Sequence, residues 1–459
     1  MLKIINPATE QEIAQVRQSS RDEVAAAYQE ARQAAPLWAA TPYQERARLV
    51  GNFRRILAET HNKAALTLSS EMGKPLVQAE REIQGALERI DWFLGETPRL
   101  LHGETVRVIP PMLEEIHYEP LGVVGSISAW NYPYLIGVNV MIPALLTGNV
   151  MLYKASEFVC LTGGLIGELW QESGLPRGVF TALNGAAHVG AALVEQELDG
   201  FFFTGSYQSG RKIAESLAAR FIPSGFELGG KDAAYVRADA ALAQAAASLA
   251  DGAFYNAGQS CCAVERIYVA AEVYEGFITH FVSETKKLTL GDPLDPGTYF
   301  GPLSRESQRA VLDAQVADAL SKGARQVLSG GRTTGRGYFY QPVVLADTTA
   351  TMSIMREESF GPVIGIQKVS GDEEAICLMN DTAYGLTSAI YGGNEESARK
   401  IGKRLNTGTI YWNCCDRVSP YLPWSGRKHS GVGSTLSALG IKAFMRPQAW
   451  HLKTAPRAE

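Results

Sequence analysis

The chain has 459 residues, 46% apolar and 20% charged, which is more than one hydrophobic core organises and describes a folded protein of two or three domains. A formal net charge of −5 at pH 7 gives no cationic surface for nucleic acid or for an anionic membrane. Six cysteines, four of them in the adjacent pairs Cys261-Cys262 and Cys414-Cys415, make no disulfide scaffold; without C-x-x-C or H-x-x-x-H spacing they predict no metal site, and a reducing cytoplasm fits. The first residues also lack the apolar core of a secretory leader.

In chain order, residues 21–38 and 43–68 carry apolar positions three or four apart with charges between them, which predicts amphipathic helices. Ser70-Glu71-Met72-Gly73-Lys74-Pro75 breaks the pattern, and residues 77–95 resume it. Residues 105–118 shift to β-branched types around Pro110-Pro111, as in an exposed hairpin. From Gly122, short apolar strands alternate with helices. Strands are predicted over 122–127, 150–154, 179–183, 200–203 and 233–236, and helices over 135–146, 159–172, 190–196 and 209–220. Such alternation implies βαβ crossovers and a parallel sheet whose ligands lie beyond the carboxyl ends of its strands. A second α/β region runs from about Lys231 to Gly433, with a helix near 240–254 and a strand at 266–269; residues 445–453 read as extended and 454–459 as a frayed end. Residues 121–153 carry no charge and are long enough to cross a bilayer, but Pro133, Pro143, Asn131, Asn139 and Asn149 favour a buried strand–helix–strand passage.

Four features carry chemistry. Phe203-Thr204-Gly205-Ser206 follows a strand and opens a helix, so backbone N–H groups there can face a phosphate. Gly205 and Gly210 have P-loop spacing, but Arg211, Lys212 and Ile213 follow, without the hydroxyl that would hold magnesium. Asn131, in Trp130-Asn131-Tyr132-Pro133 past a buried strand, is either an oxyanion donor or a turn-capping amide. Glu227 lies in Gly225-Phe226-Glu227-Leu228-Gly229-Gly230, where burial would raise its pKa and make it a general base; the alternative is a carboxylate satisfied by backbone N–H groups. Phe254-Tyr255-Asn256-Ala257-Gly258-Gln259-Ser260-Cys261-Cys262 sets a thiol directly after a turn, either reactive or inert.

Taken together, these segments resemble the NAD(P)-dependent aldehyde dehydrogenase superfamily over nearly the whole chain. The resemblance rests on Ile5-Asn6-Pro7-Ala8-Thr9, Trp130-Asn131, Lys154-Ala155-Ser156-Glu157 and Phe203-Thr204-Gly205-Ser206. It continues through Glu227-Leu228-Gly229-Gly230-Lys231, Gly258-Gln259-Ser260-Cys261, Glu357-Glu358-Ser359-Phe360-Gly361-Pro362 and Ser430-Gly431-Val432-Gly433. It implies an α/β fold with a Rossmann-like parallel-sheet coenzyme domain (1–103 and 122–229), an α/β catalytic domain (230–433) and a small β oligomerisation arm with the tail (104–121 and 434–459) of a homodimer or homotetramer. Cys261 becomes the nucleophile and Cys262 a bystander, with Asn131 as oxyanion donor and Glu227 as the base that activates water. Lys154 and Glu157 would hold the adenosine ribose, with Ser156 beside them. Gly205 and Ser206 would meet the pyrophosphate, Glu358 the nicotinamide ribose and Phe360 the nicotinamide, with Trp130 and Leu228 also lining the cofactor site. Oxidation of a small-molecule aldehyde to its acid, through a thiohemiacetal and a thioester, follows. The competing reading, a silent structural or binding protein on this fold, is opposed by the joint presence of Cys261, Glu227 and Asn131.

The departures from the common pattern, Ala129 before Trp130, Ala155 after Lys154 and Pro423-Trp424-Ser425-Gly426, remove no catalytic group. Glu157 favours a free ribose 2′-OH over a 2′-phosphate, hence NAD, with NADP open through Lys154. Tyr132, Tyr255 and Trp424 match aromatic pocket positions of betaine- and amino-aldehyde members, while Asn139 replaces a fourth. Succinate-semialdehyde members place arginines at the positions of Asn139 and Tyr255, neither of which is cationic, so amino-type or apolar and aromatic aldehydes are expected first.

Overall fold

The computed structural model describes residues 1–453; the expectation for residues 454–459 lies outside them. The predicted parallel sheet is present and has six strands. From edge to edge it runs Gly431–Val432, Ser224–Glu227, Gly200–Thr204, Val123–Ile127, Val150–Lys154 and Phe180–Leu183, parallel throughout except at its first pair. From Val123–Ile127 the chain winds outward in one direction as far as Phe180–Leu183. It then crosses to the other flank for Gly200–Thr204. That reversal opens a crevice at the carboxyl ends of Val123–Ile127 and Gly200–Thr204. The uncharged run at 121–153 is strand, helix Pro133–Leu146 and strand, all buried, and among the described residues no helix is long and apolar enough to cross a membrane.

The structure differs from the prediction in several details; the helix read over 190–196, for example, is Ala187–Val194. The helix read over 43–68 is two, Tyr43–Glu59 and His61–Met72, because Thr60 turns its hydroxyl onto the Ile56 carbonyl and closes the first. The strand Ser224–Glu227, which carries the predicted base, was not expected. Its glycine-rich sequence has little β preference, and it is held by pairing on both sides, with Gly200–Thr204 and Gly431–Val432.

Between Glu227 and Asp232 the chain passes into a seven-stranded sheet. Its order is Arg325–Leu328, Val343–Ala346, Val363–Val369, Val264–Ala270, Asp232–Val236, Thr387–Tyr391 and Thr409–Trp412, with only the first pair antiparallel. One short connection thus runs from the end of Ser224–Glu227 in the first sheet to Asp232–Val236, the strand from which the second sheet starts. A third sheet stands apart. Met445–Lys453 pairs along its full length with Met112–Pro120, which pairs with Glu104–Ile109.

Candidate active site

The thiol segment is a tight loop between the helix Leu242–Phe254 and the strand Val264–Ala270. Asn256, Ala257 and Gly258 are left-handed in succession, with φ of 54°, 56° and 69°. For two non-glycine residues this is costly, and such strain gathers at functional sites. Gly258 is required twice over, because a Cβ there would lie 2.6 Å from the Gly361 carbonyl oxygen. The loop is tied from several sides. The Gln259 side-chain oxygen accepts from the Ser304 N–H at 2.8 Å, and its main-chain oxygen accepts from Asn131 Nδ2 at 3.1 Å.

Cys261 is half-buried and Cys262 buried. The Cys262 thiol is pushed well above the usual thiol range by its contact with Cys261 and by burial, and it donates to Asp416 Oδ1 at 2.9 Å. It is a poor thiolate, so the adjacent pair separates into a half-buried sulfur that lines the cavities and a protonated neighbour. Asn131 is held on both sides. Lys74 Nζ, wholly buried, donates to the Asn131 carbonyl at 2.6 Å, pairs with Glu82, and lies 3.7 Å over the Tyr132 ring. Glu82 in turn accepts the Tyr134 N–H at 2.9 Å. One amide hydrogen of Asn131 is engaged by Gln259 and the other remains. Glu227 accepts from the Thr435 hydroxyl, with Thr204 Oγ1 at 3.5 Å. Burial raises its pKa above the ordinary carboxylate value, and these two hydroxyls and the Arg89 charge oppose the rise.

Two cavities meet at this point, and Cys261 and Glu227 line both. The first, about 560 Å³, is the crevice at the switch in strand order. Its walls include Trp130, Asn131, Ser156, Glu157, Gly205, Ser206, Leu228, Glu358 and Phe360, all of them named from sequence. Lys154 sits behind the wall, buried, with Nζ on the Ala155 carbonyl at 3.0 Å and 3.8 Å from Glu157. Glu358 accepts from the Gly230 N–H at 2.9 Å and leaves no space for a Cβ on Gly229. Burial lifts its carboxyl to about 8. The segment around it is pinned by Glu265, which accepts from the Ser359 and Phe360 N–H groups and from Lys231 Nζ.

Arg305 was not foreseen, and no sequence signal marks it. Its guanidinium lies 5.4 Å over the Trp130 ring and 5.2 Å over Phe158, and its Nε is buried with no acceptor. This donor set fits a dinucleotide. A cation with an unused N–H, the N-terminus of the helix Tyr207–Leu217 and the Glu157 carboxylate all line the same crevice.

The second cavity, about 450 Å³, is lined by Tyr132, Asn139, Tyr255 and Trp424, as expected, and also by Arg81, Arg89, Asp251, Asp416 and Arg417. Trp424 exchanges main-chain hydrogen bonds with Thr435, the residue that holds Glu227, so the altered Pro423-Trp424-Ser425-Gly426 segment is coupled to Glu227. Cys415 is a wall residue whose thiol faces the Ser248 carbonyl at 3.4 Å. Arg89 was missed for an identifiable reason. Charges within an amphipathic helix read as solvent-facing, yet Gln78, Glu82 and Arg89, spaced by four and seven, share the buried stripe of Leu76–Glu96.

Fold and site define a two-sheet α/β protein in which a thiol and a buried carboxylate stand where a dinucleotide-sized crevice meets a second pocket. Comparison with known proteins makes the class specific. The aldehyde dehydrogenase family profile matches residues 1–450. Aminoaldehyde dehydrogenase 1, peroxisomal, of Pisum sativum is 33% identical, the match covering 96% of this chain and 90% of that protein. The succinate-semialdehyde dehydrogenase [NADP(+)] of Deinococcus radiodurans is 32% identical, covering 96% and 92%. The crystal structure of betaine aldehyde dehydrogenase from Staphylococcus aureus in complex with NAD+ superposes with a TM-score of 0.94 at 29% identity, covering 99% of this chain and 92% of that one. The chain belongs to the aldehyde dehydrogenase family, and it is an NAD(P)-dependent aldehyde dehydrogenase.

Proposed function

We propose that the chain oxidises an aldehyde to its carboxylic acid with Cys261 as nucleophile, Asn131 as oxyanion donor and Glu227 as general base. The observation that carries this reading is that Cys261 and Glu227 both face the junction of the two cavities. An aldehyde in the 450 Å³ pocket presents its carbonyl carbon to the Cys261 sulfur. The oxyanion formed by thiolate addition accepts from the free Asn131 amide hydrogen and the Cys261 N–H. A nicotinamide dinucleotide held in the 560 Å³ crevice would supply the hydride acceptor that the oxidation of the thiohemiacetal to a thioester requires. Glu227 then takes a proton from water, and the resulting hydroxide releases the acid and regenerates Cys261. Burial favours this role, because a carboxylate of raised pKa is a stronger base.

Gly205, Ser206 and Arg305 would hold the cofactor's diphosphate, Glu157 its adenosine ribose and Glu358 its second ribose. Trp130, Leu228 and Phe360 would enclose the nicotinamide end. NAD is the preferred form. The Glu157 carboxylate repels a 2′-phosphate, and Lys154, which would attract one, is drawn back onto the Ala155 carbonyl. The sheet 104–120 with 445–453 is the arm of a cytoplasmic homodimer or homotetramer. The outward side chains Val106, Val108 and Ile109 support that role. The deciding experiment follows NADH absorbance on mixing with NAD and an aldehyde panel. Bound NAD without turnover of any aldehyde returns the protein to the silent class, and a strict monomer by light scattering removes the arm.

A further inference from the structure

The charged side chains lining the second cavity are not equivalent in what they already bind. Each acid on the wall has a donor. Glu82 is paired with Lys74 and takes the Tyr134 N–H. Asp251 accepts from the Tyr299 hydroxyl, Asp416 from the Cys262 thiol and Glu88 from Gln84. Glu227 is held by Thr435. The cation Arg89 is the converse case. It is only 8% exposed, and among the described residues no carboxylate lies within ion-pair distance of it. Its protein contacts use one nitrogen, Nη1, which donates to Asn139 Oδ1 at 2.9 Å and to the Leu135 carbonyl at 3.3 Å. Among the described residues neither Nε nor Nη2 donates to a protein acceptor. A buried guanidinium spending one of its three nitrogens on neutral oxygens is an expensive arrangement; the Glu227 and Glu82 charges offset part of its burial from a distance, but among the described residues no anion contacts it directly. Its planar fork matches a carboxylate in two-point contact.

The position matters as much as the charge. The two places where a pocket cation was sought in the sequence, Asn139 and Tyr255, both have an arginine beside them, delivered from the helix Leu76–Glu96. Arg89 bonds the Asn139 amide, and the Arg81 charge acts on Tyr255, where it opposes the effect of burial on the phenol. Arg417 adds an exposed third cation at the same cavity. Tyr132, Trp424 and Ile136 leave an apolar passage for a short carbon chain beside these groups.

We propose that Arg89 anchors a carboxylate on the substrate, so that the preferred aldehydes are short acids bearing a terminal aldehyde. This rests on the aldehyde-oxidising reading above and moves acid-bearing aldehydes ahead of amino and purely apolar ones. The test compares kcat/KM for succinate semialdehyde, butanal and 3-aminopropanal, which differ chiefly in the charge of the far end, in the wild type, Arg89→Met and Arg89→Lys. The wild type should favour the semialdehyde over butanal by on the order of ten- to a hundredfold, the size of a charge-assisted contact. Arg89→Met should abolish that ratio mainly through KM, and Arg89→Lys should restore part of it, which a merely structural role for the side chain does not produce. Inhibition by succinate, read as Ki, should weaken in parallel. A wild type that turns over butanal or 3-aminopropanal as well as the semialdehyde overturns the anchor and leaves the oxidation intact. So does a ratio that survives Arg89→Met. No turnover of any of the three defeats the oxidation itself, and the anchor with it.

Discussion

Replacing Glu227 by Gln tests the mechanism at its most specific point. The residue accepts from Thr435, and a Gln oxygen accepts the same hydroxyl, so packing at the strand end is retained while the charge is lost. The proposed role is confined to hydrolysis of the thioester, and thiol attack and the first oxidation do not need the carboxylate. A positioned general base contributes about 10²–10⁴-fold, or about 3–5 kcal/mol of barrier. The variant should therefore release one NADH per Cys261 in a rapid burst and then turn over slowly, with the acyl group trapped on the sulfur. Rapid-mixing absorbance measures the burst, and intact-protein mass spectrometry identifies the adduct. The pH profile gives a second handle. Burial holds the Glu227 pKa above its ordinary value of 4.5, and the ionised form is the base. In the wild type the deacylation rate should rise with pH through that elevated pKa and fall below it; in Glu227→Gln this limb should be absent. An unchanged steady-state rate without a burst would show that another group activates water.

Cys261→Ala should abolish both dehydrogenase and esterase activity. Cys262→Ala should retain both, since its thiol is held protonated against Asp416, and the reverse pattern in the same two assays refutes the assignment. Asn131→Ala should lower kcat by 10²–10³-fold, the cost of about 3–4 kcal/mol for losing one oxyanion donor, with little change in NAD affinity by fluorescence titration. Arg305→Met should weaken NAD and ADP-ribose alike by about tenfold or more, with a flatter salt dependence, because it removes the unpaired cation of the crevice. An equal Kd in wild type and variant excludes Arg305 from the cofactor site. Glu157→Gln should bring the kcat/KM values for NADP and NAD closer together, and an unaltered ratio places cofactor preference elsewhere.

What was legible in the sequence was whatever a local signal encodes. Alternation of apolar runs marked the first parallel sheet, and glycine-bracketed segments marked Gly205, Glu227 and Cys261. Features that depend on pairing between distant segments were not legible. Ser224–Glu227 becomes a strand only because Gly200–Thr204 and Gly431–Val432 flank it. Arg305 reaches the Trp130 face from a loop with no motif of its own. Arg89 shows the limit most clearly, because both halves of its meaning were present in the sequence but in different places. The stripe of Gln78, Glu82 and Arg89 indicates that a polar face turns inward, and Asn139 indicates a neutral acceptor on a pocket wall. Only packing of Leu76–Glu96 against Pro133–Leu146 brings them within 2.9 Å. Pocket charge was expected from the residue at each wall position, but a wall position can borrow its charge from a neighbouring helix. An arginine whose only protein acceptors, Asn139 and the Leu135 carbonyl, engage Nη1 changes the substrate that the wall recognises, although the wall residue itself is neutral.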